Sequence, residues 1–216
     1  MKRLIVYDLD GTLVDTLADI AQAASHMLSR LQAPALTPSE IRRFIGDGVH
    51  ELVARCLRTD EPDRINEGVR IYRTYYQSHL LDESRLYPGA EAILAHFAGR
   101  IQAVITNKPG CYSRKILEGL GVAHHFVEII GGDMGYPRKP DPSSLKNLMS
   151  RHGVVADETL LIGDSAGDVD TAQRAGVDTV AITRGFSDEE DIRPACPTAI
   201  VSSFRELLTL AERHGW

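Results

Sequence analysis

The amino-acid sequence predicts an α/β fold, in which a doubly wound parallel sheet carries a small all-helical insertion after its first strand. Over residues 86–216 short apolar runs alternate with helical patterns, as in a parallel sheet with helices on both faces. Residues 15–85 contain helical patterns and no convincing strand. We therefore expect a core domain of residues 1–14 and 86–216, and a helical domain of residues 15–85.

Composition and charge exclude several classes of protein. The chain has 216 residues, 43% of them hydrophobic, which is enough for a substantial core. The net charge of −6 argues against a nucleic-acid partner, which would favour a basic face. No apolar run reaches the ~18 residues of a membrane span, and the start of the chain does not resemble a signal peptide. The three dispersed cysteines indicate free thiols in a reducing compartment, so we expect a cytoplasmic protein.

The first element is a buried strand over residues 4–7, and Asp8 and Asp10 follow it directly. Ligands of open parallel sheets bind beyond the carboxyl ends of the strands, so these two carboxylates lie where chemistry is expected. Neighbouring carboxylates repel each other, and a hard divalent cation with oxygen ligands would offset the repulsion. An Asx-Gly turn that only ends a strand would give the same local pattern.

The helical insertion is divided by recognisable helix boundaries. Apolar residues follow helical spacing from Asp15 onward, and Thr37-Pro38-Ser39-Glu40 predicts a helix start with a capping box. Ile45-Gly46-Asp47-Gly48 interrupts the helical pattern, and Glu61-Pro62 begins a long helix. About 70 residues is little for an independent core, so we expect the insertion to pack against the main domain.

Polar residues recur just beyond the later predicted strands. These strands cover residues 101–105, 127–130, 159–162, 179–182 and 199–201. The polar residues that follow the strands, or lie in the loops between them, are Thr106, Asn107, Lys139, Asp164 and Asp168. Each has an ordinary alternative role as a helix cap or a solvated charge. Because parallel strands end at one edge of the sheet, we expect these side chains to converge with Asp8 and Asp10.

Taken together, these motifs resemble those of the haloacid dehalogenase-like phosphohydrolase superfamily. The matching segments, in family order and spacing, are Asp8-Leu9-Asp10-Gly11-Thr12, Thr106-Asn107, Lys139-Pro140 and Gly163-Asp164-Ser165-Ala166-Gly167-Asp168. The helical insertion is similar to the helical cap of that family. The Thr106-Asn107-Lys108-Pro109 run and the turn at residues 45–48 resemble the phosphoglycolate phosphatase-like subgroup.

The resemblance implies a catalytic role for each carboxylate and for Mg²⁺. Asp8 would be the nucleophile that forms an aspartyl-phosphate, and Asp10 would be the general acid and base. The Asp8 side chain, the Asp10 backbone carbonyl and Asp164 would bind Mg²⁺, with Asp168 outside the direct ligands. Thr106, Asn107 and Lys139 would bind the phosphoryl oxygens. The implied enzyme is a Mg²⁺-dependent phosphatase that acts on a small phosphorylated metabolite, as a monomer or homodimer.

The sequence is also compatible with other functions. A sugar-phosphate mutase of the same superfamily shares the Asp8–Asp10 pair, whereas a dehalogenase lacks the second carboxylate. Phosphonate cleavage would need a cap lysine, and residues 15–85 contain none. Gly163 to Gly167 also matches the G-x-S-x-G motif of serine esterases, with Ser165 as nucleophile and His214 as base. A phospho-accepting receiver domain is a further alternative, which the insertion and Asp10 argue against.

Substrate selectivity is expected to come from the helical insertion. Arg42, Arg43 and His50 flank the turn formed by Gly46, Asp47 and Gly48. These cations could bind the carboxylate of a small acid such as 2-phosphoglycolate. They would also be unremarkable as charges on an exposed helix surface.

Overall fold

A six-stranded parallel sheet covered by helices forms the main body of the protein. The computed structural model describes residues 1–216. The strands are β1 (Leu4–Tyr7), β2 (Val14–Asp15), β3 (Arg85–Leu86), β4 (Ile101–Ile105), β5 (Glu128–Ile130), β6 (Thr159–Gly163), β7 (Asp178–Ile182) and β8 (Ala199–Val201). Six of them form one sheet in the order β5-β4-β1-β6-β7-β8, and all pairs in it are parallel. The predicted α/β class is confirmed.

Ten α-helices follow most of the strands, and three single-turn 3-10 helices complete the regular structure. They are α1 (Leu17–Arg30), α2 (Pro38–Arg42), α3 (Val49–Leu57), α4 (Pro62–Tyr76), α5 (Ala90–His96), α6 (Gly110–Gly119), α7 (Ser143–His152), α8 (Ala166–Ala175), α9 (Glu189–Ile192) and α10 (Phe204–His214). None of these helices combines the length and the apolar character needed to cross a membrane. The cysteines are free: Cys56 is buried, and Cys111 and Cys196 are exposed.

Strand β1 is the centre of the sheet and of the core. Its four residues are fully buried, and it pairs with β4 on one side and β6 on the other. In register, Leu4 faces Ile101 of β4 and Thr159 of β6. A strand with helices on both faces needs apolar residues at every position, which explains the uninterrupted apolar run.

A short second sheet closes the helical segment of residues 15–85. Strands β2 and β3 pair antiparallel, with Val14 opposite Leu86 and Asp15 opposite Arg85. The sequence did not predict this sheet, because two-residue strands are too short to show a period of two. The capping box of α2 is confirmed: the Glu40 N–H donates to Thr37 Oγ1 at 3.3 Å, and Thr37 N–H donates to Glu40 Oε2 at 2.8 Å.

Asp19 of α1 anchors the chain where it returns from the helical segment. Its buried carboxylate accepts hydrogen bonds from Glu83 N (2.9 Å), Ser84 N (2.8 Å) and Ser84 Oγ (2.6 Å). The Asp19→Ala variant would leave these donors unpaired, two of which belong to the fully buried Ser84. We expect a loss of about 3 kcal/mol in the free energy of unfolding, measured by urea denaturation. The control is Asp60→Ala at an exposed position, which should change the free energy of unfolding by less than about 0.5 kcal/mol. Equal losses of stability in the two variants would contradict the anchoring role of Asp19.

Candidate active site

The order of the strands brings the predicted polar residues to one edge of the sheet. Asp8 follows β1, Thr106 follows the neighbouring β4, and Asp164 follows β6 on the other side of β1. Lys139 reaches the same edge from the loop between β5 and α7. All four line one cavity of ≈ 290 Å³, together with Asp10. The structure therefore brings together these sequence-predicted site residues in a single place.

Three carboxylates form a compact, largely buried cluster at this site, and two of them, Asp8 and Asp164, line the cavity. Oxygen atoms of Asp8, Asp164 and Asp168 lie within 4.8 Å of one another. Burial raises the pKa of Asp8 to about 6; the neighbouring Lys139 lowers it, and the charge of Asp168 raises it further. Burial also raises the pKa of Asp164 to about 8, with contributions from Asp8 and Asp168. The ionised cluster therefore has an excess of negative charge that a cation would offset.

The Asp8 side chain also has an oxygen available for a ligand. Asp8 Oδ1 is buried and makes no hydrogen bond of acceptable geometry. Lys139 Nζ lies 2.9 Å from this atom, so the two groups form an ion pair that lacks hydrogen-bond alignment. A buried carboxylate oxygen without a hydrogen-bond donor, beside two further carboxylates, fits the oxygen ligands that Mg²⁺ prefers.

Asp164 is held in a fixed orientation by residues that follow β1 and β7. Thr12 Oγ1 donates to Asp164 Oδ1 at 2.9 Å, and the Phe186 N–H donates to Asp164 Oδ2 at 2.7 Å. Gly11 has φ +81°, and a side chain at this position would collide with the Asp164 carboxylate. The glycine and threonine of the first motif therefore serve to place the carboxylate of the fourth motif.

Lys139 connects the nucleophile candidate to the rest of the cluster. Its Nζ donates to Asp168 Oδ1 at 2.5 Å and lies 2.9 Å from Asp8 Oδ1. Burial alone would lower the pKa of Lys139, but the charges of Asp168 and Asp8 outweigh burial and hold the pKa above its ordinary value. Lys139 is therefore a permanently charged group beside Asp8.

Asn107 contacts main-chain atoms, whereas the sequence led us to expect a contact with phosphate. Its Oδ1 accepts from Lys139 N at 2.9 Å, and its Nδ2 donates to Lys139 O (3.1 Å) and Gly46 O (2.9 Å). Both amide hydrogens are engaged in these bonds. In this structure the Asn107 side chain therefore joins the Lys139 loop to the turn of the helical segment, and a side-chain contact with phosphate would require one of these bonds to break.

Asp10 is held by residues that sequence reasoning did not select. Thr16 Oγ1 donates to Asp10 Oδ1 at 2.7 Å, and Lys108 Nζ donates to both carboxylate oxygens at 3.0 and 3.1 Å. Lys108 lies in the run that resembles the phosphoglycolate phosphatase subgroup, and this was its only signal in the sequence. Nothing in the spacing shows that its side chain turns toward Asp10 and the helical segment.

The turn between α2 and α3 contributes part of the cavity wall. Arg43, Gly46, Asp47 and Gly48 line the cavity, as expected for residues near a substrate. Arg42 and His50 are outside the lining. The Arg42 guanidinium donates to Gly185 O at 3.2 Å and to Asp188 Oδ1 at 3.1 Å, and His50 Nδ1 lies 3.8 Å from Glu51 Oε1.

Ser165 has the contacts of a helix cap. Its hydroxyl accepts from the Asp168 N–H at 3.3 Å and donates to Asp168 Oδ2 at 2.6 Å, at the start of α8. His214 stacks on Trp216 near the end of the chain, with ring centroids 5.2 Å apart. Ser165 therefore has no histidine partner, and the geometry does not support the serine-esterase interpretation.

Comparisons of sequence and of structure both find haloacid dehalogenase-like hydrolases similar to this chain. The family model described as haloacid dehalogenase-like hydrolase matches residues 5–182. A phosphoglycolate phosphatase of Vibrio parahaemolyticus is 35% identical over 95% of this chain and 94% of its own length. One from Rhodospirillum rubrum is 35% identical over 100% of this chain and 92% of its own. A crystal structure of a "predicted phosphoglycolate phosphatase" from Haemophilus somnus superposes with a TM-score of 0.92 at 30% identity, covering 97% of this chain and 98% of that one.

Proposed function

The chain belongs to the haloacid dehalogenase-like hydrolase family, and we propose that it is a Mg²⁺-dependent phosphatase whose preferred substrate is 2-phosphoglycolate. The observation that carries the proposal is the buried cluster of Asp8, Asp164 and Asp168 with Lys139, at the end of the central strand and open to a cavity. The choice of substrate rests on relatives that are named phosphoglycolate phosphatases and match nearly the whole chain.

In the first half-reaction, Asp8 attacks phosphorus and Asp10 assists the leaving group. A carboxylate oxygen of Asp8 forms a bond to phosphorus while the bond from phosphorus to the ester oxygen breaks. Asp10 transfers a proton to that ester oxygen, which leaves as the hydroxyl group of the alcohol. Thr106 and Lys139 hold the phosphoryl oxygens, and the charge of Lys139 offsets the negative charge of the transferring group.

In the second half-reaction, water hydrolyses the aspartyl-phosphate. Asp10 is now a carboxylate and takes a proton from water as the water oxygen attacks phosphorus. The bond between phosphorus and the Asp8 oxygen breaks, which releases inorganic phosphate and restores the Asp8 carboxylate. The hydrogen bonds from Thr16 and Lys108 to both Asp10 oxygens hold the ionised carboxylate of this second step in place.

The residues at the site fit Mg²⁺ as the cofactor. The Asp8 carboxylate, the Asp10 main-chain carbonyl and the Asp164 carboxylate would hold the ion, and Asp168 would support them while bonded to Lys139 and Ser165. When bound, the ion supplies positive charge that brings the phosphoryl group and the Asp8 carboxylate together.

We also propose that residues 15–85 form a cap domain over a core domain of residues 1–14 and 86–216. The turn at residues 46–48 lines the cavity, and Gly46 O accepts a hydrogen bond from Asn107 of the core. The short β2–β3 pair is the place where the chain enters and leaves the proposed cap. A cap in this position would exclude water and contact the leaving group.

Binding of Mg²⁺ should compete with protons at the carboxylate cluster. The pKa values of Asp8 and Asp164 are raised from 3.8 to about 6 and about 8, so the folded protein holds protons more tightly than the unfolded chain. In protein stripped of divalent ions, the free energy of unfolding should therefore fall as pH rises from about 4 to about 8. Mg²⁺ would replace these protons, so the increase in Tm on adding Mg²⁺ should be larger at about pH 8 than at about pH 5.

Thermal unfolding with and without Mg²⁺ at the two pH values measures this effect. The Asp164→Asn variant removes one proposed ligand and serves as the control, in which the Mg²⁺-dependent increase should be largely absent. An increase in Tm that is the same at both pH values in the wild-type protein would contradict the assignment of this cluster as the metal site.

The substrate is tested with a panel of phosphorylated metabolites in the presence of Mg²⁺. The panel includes 2-phosphoglycolate, sugar phosphates and nucleoside monophosphates, and the readout is kcat/KM for phosphate release. We expect kcat/KM for 2-phosphoglycolate to exceed that for the other esters by about tenfold or more. Preferential conversion of a hexose phosphate into its isomer would overturn the proposal in favour of a mutase.

A further inference from the structure

Lys108 is a second buried lysine in the cavity, and holding Asp10 does not account for its contact with the helical segment. Its side chain is 5% exposed, and Nζ contacts the two oxygens of Asp10 at 3.0 and 3.1 Å. Nζ also donates to the Tyr76 hydroxyl at 2.6 Å and lies 4.7 Å from the centroid of that ring. A buried ammonium group is unfavourable unless anions and hydrogen-bond acceptors offset its charge, and here the Asp10 carboxylate and the Tyr76 hydroxyl do so. When Asp10 carries the proton of the first half-reaction, the charge of Lys108 is left to pair with an anionic ligand.

The two buried lysines contact different parts of the reaction centre. Lys139 contacts Asp8 and Asp168, on the side of the nucleophile and the proposed metal ligands. Lys108 contacts Asp10, the residue that transfers a proton to the ester oxygen. Lys108 therefore lies beside the leaving group, whereas Lys139 lies beside the transferred phosphoryl group.

Tyrosines of the helical segment and of α6 complete the surroundings of Lys108. Because the Tyr76 hydroxyl accepts from Lys108, its own hydrogen is left to donate to a ligand. Tyr72 and Tyr112 line the same cavity, and their rings lie 5.3 and 5.7 Å from the Tyr76 ring. An ammonium group next to phenolic hydroxyls is a suitable environment for a small anion.

We propose that Lys108 and Tyr76 bind the carboxylate of the leaving group, so that the enzyme selects phosphate esters of short 2-hydroxy acids. In such an ester the carboxylate is attached to the carbon that bears the ester oxygen, so it lies within reach of a cation that touches Asp10. Arg42 is a weaker candidate for this role, because it lies outside the cavity lining and its Nη2 is bonded to Gly185 O and Asp188 Oδ1. This inference rests on the proposed phosphatase function and names the group that selects its substrate.

The test compares two esters of similar size that differ in the carboxylate. One is 2-phosphoglycolate, and the other is 2-hydroxyethyl phosphate, which carries a hydroxymethyl group in place of the carboxylate. The readout is the ratio of their kcat/KM values in the wild-type protein and in Lys108→Met, which keeps the length of the side chain but removes its charge. We expect this substitution to lower the ratio by about 100-fold, as for the loss of one partner of a buried charge pair.

Two further variants control for misfolding and for the change in net charge. Tyr76→Phe removes one hydroxyl and keeps the ring, and it should lower the ratio by about fivefold to tenfold. Lys115→Met removes an exposed lysine of α6 and should leave the ratio within about twofold of the wild-type value. Thermal unfolding shows whether each variant is folded. If Lys108→Met does not fold, Tyr76→Phe alone tests the proposal.

Three outcomes would overturn the proposal. In the first, Lys108→Met lowers kcat/KM equally for both esters, which would mean that Lys108 acts on Asp10 alone. In the second, Arg43→Met removes the preference and Lys108→Met does not, which would assign the carboxylate to the turn at residues 46–48. In the third, the wild-type protein hydrolyses both esters equally well, so the subsite is absent and the phosphatase function stands. Hydrolysis of neither ester would instead contradict the proposed function itself.

Discussion

Replacing Asp8 with asparagine should lower phosphatase turnover by about 10⁴-fold or more while the protein stays folded. The amide has nearly the shape of the carboxylate, but its oxygen is a poor nucleophile and cannot form the aspartyl-phosphate. The substitution also removes one negative charge from the cluster of Asp8, Asp164 and Asp168. Because this lowers the repulsion within the cluster, we expect the fold to stay stable. Phosphate release under saturating 2-phosphoglycolate and Mg²⁺ measures the loss, and circular dichroism measures the fold.

The control for this substitution is Asp15→Asn, which makes the same chemical change at an exposed position on β2. Its turnover should stay within about twofold of the wild-type value. If Asp8→Asn were to retain turnover within about tenfold of the wild-type protein, Asp8 could not be the nucleophile.

Replacing Lys139 with methionine should damage both stability and catalysis. Lys139 is 8% exposed and offsets the charge of two carboxylates, of which Asp168 is 1% exposed. Removing one partner of a buried ion pair leaves an uncompensated charge, so we expect the free energy of unfolding to fall by about 3–5 kcal/mol at neutral pH. We also expect turnover to fall by about 10³-fold, because the charge that offsets the phosphoryl group is lost.

Urea denaturation and steady-state kinetics measure the two effects of Lys139→Met separately. The exposed Lys146→Met variant of α7 makes the same substitution without a buried partner, and it should change stability by less than about 0.5 kcal/mol. A Lys139→Met protein as stable as the Lys146→Met protein would show that the carboxylate cluster does not need the lysine charge.

The sheet and the convergence of its polar residues could be predicted because topology determines both. Continuous apolar runs such as residues 4–7 require a sheet covered on both faces, and parallel strands end at a common edge. Once Asp8, Thr106 and Asp164 each follow a strand of that sheet, their proximity does not depend on details of side-chain packing. The sequence pattern was therefore sufficient to predict that these three residues lie close together.

The contacts of Lys108 and Asn107 could not be predicted in the same way. Both residues follow β4, but their partners, Tyr76 and Gly46, belong to the helical segment of residues 15–85. Which side chain reaches across to that segment depends on how the helices pack on the sheet, and no periodicity in the sequence reports this. The Asn107 side chain therefore bonds to main-chain atoms that the sequence pattern did not reveal, and its contact with phosphate stays a prediction.

The central claim is that Asp8 accepts the phosphoryl group, and the most direct measurement is detection of that intermediate. The protein is mixed with 2-phosphoglycolate and Mg²⁺ and quenched in acid during turnover, and the peptide that contains β1 is analysed by tandem mass spectrometry. We predict one added phosphoryl group on Asp8, absent from the Asp8→Asn variant. Turnover without a phosphoryl group on Asp8, or with one on Ser165, would contradict the account.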